Sequence, residues 1–208
     1  MQNSYVEKLV ERFPELQSQK LAIQAFVDAI IQTYKQDGKV LIAGNGGSAS
    51  DSEHITGELL KGFITKRPME KEKAEHFAKF LSKEEAEMLQ EGIPAVPLCS
   101  LMSGLTAFDN DVSPELAFGQ LVFAMGKKQD LVVVLSTSGN SVNTIKAVQV
   151  AKAMGIKTVA MVGKTGGKLK DLADVVIIAP ANETYLVQEY HLPIYHAVCA
   201  EVERVLFK

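Results

Sequence analysis

The sequence predicts an α/β fold: a three-layer, doubly wound sandwich on a five-stranded parallel sheet, forming a single domain over residues 1–208. Three observations carry this. Five short runs rich in Val and Ile recur along the chain, as expected of strands buried on both faces of a parallel sheet. Helical apolar spacing fills the gaps, so strand and helix alternate, which is the pattern of a doubly wound sheet. A chain of 208 residues, 47% hydrophobic and 23% charged, has the size and composition of one globular domain with its own core.

Residues 1–38 read as N-terminal helices. Ile23, Phe26, Val27, Ile30, Ile31 and Tyr34 fall at i, i+3, i+4, i+7, i+8 and i+11, one continuous apolar stripe. Pro14 separates a short first helix from this longer one. The stripe must be covered by the domain, by another subunit, or by both. The strands then follow at Lys39–Ala43, Ala95–Cys99, Leu131–Leu135, Thr158–Val162 and Val175–Ala179. Ser141 to Met154 is a helix, with Gly155 placed to stop it. Residues 66–92 break the rhythm: 13 of the 26 residues from Lys66 to Glu91 are charged. Ala74, Phe77 and Leu81 nevertheless keep helical spacing. Ser82 with Glu85 makes a capping box for a second short helix, which Gly92 would close. The segment reads as an inserted helical hairpin on the surface, either a solvated decoration or a lid or interface element.

Composition removes several classes of function. With 22 Lys+Arg against 25 Asp+Glu, the net charge is −3 and there is no basic tract, so nothing attracts nucleic acid. No apolar run approaches the roughly 20 residues of a membrane helix, and the N-terminus is charged where a signal peptide is greasy. A cytoplasmic protein is expected. Cys99 and Cys199 form no C-x-x-C pair, which argues against a thiolate zinc site, and both read as buried core thiols.

The loops at the carboxyl ends of the strands are where ligands bind in such sheets. The first carries Gly44-Asn45-Gly46-Gly47-Ser48 ahead of a helix start. Glycines there let backbone approach a ligand, and the helix N-terminus offers free N–H groups to an anion. The stretch also matches a dinucleotide fingerprint. That reading fails on spacing, because no acidic residue ends a second strand about 20 positions on. The third strand ends in Ser136-Thr137-Ser138-Gly139-Asn140-Ser141, again opening a helix. Ordinary N-capping needs one hydroxyl. Four hydroxyls and a glycine suit a phosphate instead, and the absence of a P-loop lysine points to a phosphomonoester. His54 and Glu58, at i and i+4, share one helix face, while Gln188 and His196 lie about two turns apart on a later helix. Together these four offer the nitrogen and oxygen ligands of a divalent metal such as zinc, although spacing alone does not bring the two helices together.

In order along the chain, GNGGS at 44–48, HITGE with His54 and Glu58, Asn110-Asp111, STSGNS at 136–141, GGKL at 166–169 and QEYHLPIYH at 188–196 resemble the sugar isomerase (SIS) fold, a flavodoxin-like architecture. Within it the chain is similar to the phosphoheptose isomerases, which convert sedoheptulose 7-phosphate to D-glycero-D-manno-heptose 7-phosphate. The resemblance spans nearly the whole chain outside residues 69–92. It implies a cytoplasmic homotetramer with sites shared between subunits, serving lipopolysaccharide heptose biosynthesis. It implies a phosphate held by Ser136, Thr137, Ser138 and Ser141, and a sugar site lined by Asn45, Gly46, Gly47, Ser48, Asn110 and Asp111, with Glu58 and Gln188. It implies a divalent metal, zinc, on His54, Glu58, Gln188 and His196. It further implies catalysis through an enediol, with Glu58 as the base at carbon and His196 as the acid at oxygen.

The chain also departs from this pattern. Leu60-Lys61-Gly62 stands where an Arg usually follows the first motif, Tyr185 replaces an Asp, and Pro193 sits inside the last motif where it would kink a helix. A different phosphosugar therefore stays open. The rival from another class is a non-catalytic SIS protein, like the relative that binds the bacterial replication initiator. Such a protein resembles this fold without the Glu and the second His, both present here as Glu58 and His196. A sugar-phosphate-sensing transcription factor would need a DNA-binding domain, for which the acidic first 38 residues are too short.

Overall fold

A computed structural model describes residues 4–207. Strands β1 (Val40–Gly44), β2 (Ala95–Pro97), β3 (Leu131–Ser136), β4 (Lys157–Val162) and β5 (Val175–Ile178) form one all-parallel sheet in the order β2-β1-β3-β4-β5. Four match the expected runs to within one residue at each end. β2 is shorter: it stops at Pro97, which pairs with Ile42 at the sheet edge, and Leu98–Ser100 turn away as a 3-10 helix. Proline is tolerated there because only an edge strand can spare its N–H. Cys99 thereby leaves the sheet and lies half-buried, its thiol directed at the Ala49 carbonyl, whereas Cys199 is buried as expected; both thiols are free.

Alternating strand residues build two cores. Val40, Ile42, Leu131, Val133, Leu135, Val159, Met161 and Ile177 face α1 (Tyr5–Arg12), α2 (Lys20–Lys35), α3 (Gly47–Leu60) and α9 (Thr184–Leu206). Leu41, Ala43, Val132, Val134, Ala160 and Val162 face α7 (Ala117–Met125) and α8 (Val142–Ala153). The N-terminal stripe is spent on its own domain: Ile23, Phe26, Val27 and Ile30 are fully buried, which stabilises the fold by about 1.5–3 kcal/mol each. Pro14 does separate the first two helices, opening a 3-10 turn over Pro14–Gln19. α8 stops before Gly155, whose φ of 70° is the left-handed conformation glycine adopts freely. α9 runs unbroken through Pro193, where only the bond to the Glu189 carbonyl is lost.

The hairpin consists of α4 (Lys71–Phe77) and α5 (Lys83–Met88), and the Ser82–Glu85 capping box is present. An antiparallel bridge between Pro68 and Gln90 closes its base. Ala86 is the one buried residue of its two helices, while Phe80, Met88 and Leu89 are exposed. Two expectations need correcting. Gly92 does not close α5, which ends at Met88; instead Gly92 passes tightly over the Leu60 carbonyl, and Ile93 donates to Leu59. Arg67 is not part of a solvated charge run, because its side chain is completely buried. Its Nε donates to Glu203 at 2.8 Å, and its Nη atoms donate to the carbonyls of Leu59 (2.7 Å) and Glu58 (3.2 Å). Among the described residues no helix is long and apolar enough to cross a membrane.

Candidate active site

The glycine loop and the hydroxyl loop lie side by side at the carboxyl ends of the adjacent strands β1 and β3. Gly46 has a φ of 56°, and a Cβ on Gly47 would run into the Gln188 amide. Glycine at 47 is thus what lets α9 close over the start of α3. Asn45 is tied down by a reciprocal pair of amide bonds with Asn143, each 2.9 Å. Its amide group therefore couples the two loops, a partner that no motif indicated. Ser48 is buried in the first turn of α3 and its carbonyl accepts from Ser52, so it supports the loop from beneath.

In the hydroxyl loop, Ser136 donates to Ser141 at 3.0 Å, and the Ser138 hydroxyl accepts from the Asn140 N–H. Ser141 occupies the N-cap position of α8 but makes no side-chain cap bond; the Thr144 N–H is taken by the Asn143 side chain, which leaves the N–H groups of Val142 and Asn143 to face an anion. Gly139, with φ at 66°, is pressed against Gly166, and the Lys168 N–H donates to Asn140. The GGKL segment thus braces the loop from behind. Asn110 and Asp111 sit exposed at the end of α6 (Met102–Asp111), where Asn110 donates to Asp111. Among the described residues no hydrogen bond ties either of them to the two loops.

Helices α3 and α9 do meet. His54 Nε2 lies 3.2 Å from Glu58 Oε1 and 3.4 Å from His196 Nε2. On its other side His54 Nδ1 is 3.0 Å from the Tyr195 hydroxyl, which also reaches Asp51 Oδ1 at 3.2 Å. Lys61, just past the end of α3, folds back to put Nζ 3.4 Å from Glu58 Oε2. Tyr185 is exposed. Burial, reinforced by the neighbouring His54 and opposed by the Glu58 carboxylate, holds the His196 pKa below the ordinary histidine value. Burial and the Asp51 carboxylate push the Tyr195 phenol strongly upward. Burial raises Asp51 against the opposing Tyr195 hydrogen bond. The site helix α3 is anchored at its far end by Arg67 and Glu203. Glu203 accepts from the N–H groups of Phe63, Ile64 and Thr65 as well as from Arg67. Burial opposes its ionisation, but these donors win and hold its carboxyl below the usual range.

The donor set of His54, Glu58 and His196 is nitrogen and oxygen, as a borderline cation prefers. The two spacings, 3.2 and 3.4 Å, match the roughly 3.3 Å edge of a tetrahedron with zinc–ligand bonds of about 2.0–2.1 Å. His54 stands between the other two, and among the described residues no group of three His, Cys, Asp or Glu side chains is already arranged to hold a metal ion.

A parallel sheet with helices on both faces, a hydroxyl loop at a helix N-terminus and a His/Glu/His cluster where α3 meets α9 define the class. The SIS domain family profile matches residues 4–163, and the chain belongs to that family. Within the family it is similar to phosphoheptose isomerases. The Helicobacter pylori (strain P12) enzyme is 36% identical over 189 residues, 91% of this chain and 86% of that protein. The Burkholderia pseudomallei (strain 1710b) enzyme is 38% identical over 185 residues, 89% and 82% of the two chains. The phosphoheptose isomerase structure from Neisseria gonorrhoeae superposes with a TM-score of 0.75 at 28% identity, covering 95% of this chain and 94% of that one.

Proposed function

We propose that the chain is a sugar-phosphate isomerase whose substrate is sedoheptulose 7-phosphate and whose product is D-glycero-D-manno-heptose 7-phosphate. The relatives named phosphoheptose isomerase support the substrate class. The observation that carries the mechanism is the meeting of Glu58 and His196 around His54, from helices far apart in sequence. The uncapped N-terminus of α8 and the hydroxyls of Ser136, Thr137, Ser138 and Ser141 take the phosphate. Glu58 removes a proton from C1 of the ketose and returns it to C2, while His196 moves the proton between O2 and O1, through an enediol. Lys61 stands where it can stabilise negative charge beside Glu58. His54, Glu58 and His196, with Gln188 by resemblance, would hold a divalent metal such as zinc, which when bound polarises the sugar oxygens. The chain acts in the cytoplasm as a homotetramer, for which the exposed Met102, Val112 and Phe123 on and after α6 supply apolar surface.

The test is turnover of sedoheptulose 7-phosphate followed by proton NMR. Glu58→Gln and His196→Ala should each lower kcat by at least about 100-fold. Wild-type rates in both variants overturn the assignment of roles. Turnover of another ketose phosphate but not of the heptulose overturns the substrate and leaves the isomerase chemistry standing.

A further inference from the structure

The Asp51, Tyr195 and His54 side chains form a chain of contacts that runs away from the reacting groups, and with Asp51 ionised its carboxylate and the His54 ring compete for a single phenolic proton. Asp51 Oδ2 is buried and has no partner, and Tyr195 is the one donor to Asp51 Oδ1 among the described residues. A carboxylate left with no donor at all carries a desolvation cost of about 1–3 kcal/mol or more. The single phenolic proton of Tyr195 therefore goes to Asp51. The Tyr195 oxygen then faces His54 Nδ1 at 3.0 Å as an acceptor, which requires that Nδ1 carry a proton. A neutral imidazole has one N–H, so Nε2 is left with a lone pair. That lone pair can accept from His196 Nε2–H, 3.4 Å away, and lies 3.2 Å from Glu58 Oε1, where a cation would be shared between the two.

We infer that Tyr195 and Asp51 are positioning residues that lock His54 in its Nδ1-protonated tautomer and turn its Nε2 lone pair towards Glu58 and His196. The inference rests on the proposed role of His54 in the site. Histidines that bind metal generally donate their other ring N–H to an outer partner, which fixes both tautomer and ring orientation. Here a tyrosine stands between the ring and the carboxylate. The ring planes support the geometry: Tyr195 and His196 both meet His54 edge-on, with interplanar angles of 73° and 81°. A neighbour lacking the hydroxyl would grip the ring equally well but would leave its protons free to choose.

The test uses the full chain, which contains only four histidines, labelled with nitrogen-15 at histidine Nδ1 and studied metal-free at pH 8, above the ordinary histidine pKa. Solid-state spectra distinguish a protonated from an unprotonated Nδ1, and His54→Gln assigns the signal. The wild type should show His54 protonated at Nδ1. Tyr195→Phe, which keeps the ring, and Asp51→Asn, which can reverse the direction of the relay, should both shift His54 towards protonation at Nε2. In both variants Co(II) affinity should fall about 10- to 100-fold, and kcat should fall with KM for the sugar phosphate unchanged. An unprotonated Nδ1 in the wild type, or an unaltered tautomer in both variants, overturns the inference. A tautomer shift in a protein that never binds Co(II) upholds the relay and removes instead the metal from the proposed function.

Discussion

Arg67→Ala should destabilise the protein more than any single change among the exposed charges of its segment. The substitution strands the Glu203 carboxylate in a buried position with three backbone N–H groups but no counter-charge. It also removes the donors to Leu59 and Glu58 at the end of α3 and the guanidinium lying 4.7 Å over the Phe207 ring. Leu59 keeps its bond from Ile93, so the dominant loss is the orphaned charge. Removing one partner of a buried ion pair costs about 3–5 kcal/mol, which for a chain of this size lowers Tm by about 6–20 °C. Urea unfolding at fixed protein concentration measures the loss, and a cycle with Glu203→Gln isolates the pair. The two changes should be less than additive by at least about 2 kcal/mol, since each already breaks the same contact. A cost below about 1 kcal/mol for Arg67→Ala, or additivity within about 0.5 kcal/mol, refutes the view that this pair anchors the two site helices.

Other consequences are equally direct. His191 is fully buried on α9 and both ring nitrogens lack partners; burial lowers its pKa to about 4. Because the unfolded chain takes up this proton near pH 6.5 and the folded chain only near 4, stability should decline as pH falls across that window, by about 3 kcal/mol; His191→Leu should flatten that limb in acid-titrated urea melts. Glu203 and Glu201 are held below the usual carboxylate range, Glu201 by Arg204 and the Tyr5 N–H against the opposing effect of burial. Their contribution is complete above the unfolded carboxylate value and is lost as pH falls through their lowered values, so Glu201→Gln should narrow the acid loss below about pH 4. Ser141→Asp places a negative charge at the open end of α8 and should raise KM for the sugar phosphate at least tenfold, about 1.4 kcal/mol, while leaving thermal unfolding within about 2 °C; an unchanged KM would remove the phosphate from that loop. Because Pro68 and Gln90 already pair, replacing residues 71–88 by a short Gly-Ser link should leave Tm within about 5 °C in calorimetry, and a collapse of the fold would show that the hairpin is part of the core.

The strands were legible because burial on both faces leaves an unbroken apolar signature, and the loops of interest followed from where strands end. His54 and Glu58 declared themselves by helical spacing, but nothing in one helix says which other helix crosses it. Only packing of α3 and α9 on the same sheet face brings His196 to His54. Arg67 is not distinguishable in the sequence from the charges around it, because a sequence window sees a cluster of charges and cannot see Glu203, 136 positions away. Asn143 lies in no motif, and Tyr195 sits inside the 188–196 motif without the sequence marking it out; their roles exist only through partners on other elements, Asn45 for the one and Asp51 and His54 for the other. Gly92 misleads for a related reason, since a glycine after a helix signals a stop unless, as here against Leu60, the chain must pass close to another backbone.

The partners of α9 set a rule for how this protein can change length. Gln188 lies against Gly47, Tyr195 and His196 both meet His54, Glu201 accepts from Tyr5 and Glu203 from Arg67. One residue added between Gln188 and Glu203 would turn the remainder of the helix by about 100° and advance it by about 1.5 Å, so Glu203 would miss all its donors at once. An addition at the tip of the hairpin meets no such constraint, because the bridge at its base already holds the flanking chain. The fold thereby accommodates a change of length in the 71–88 segment, while α9 accommodates only the exchange of one side chain for another.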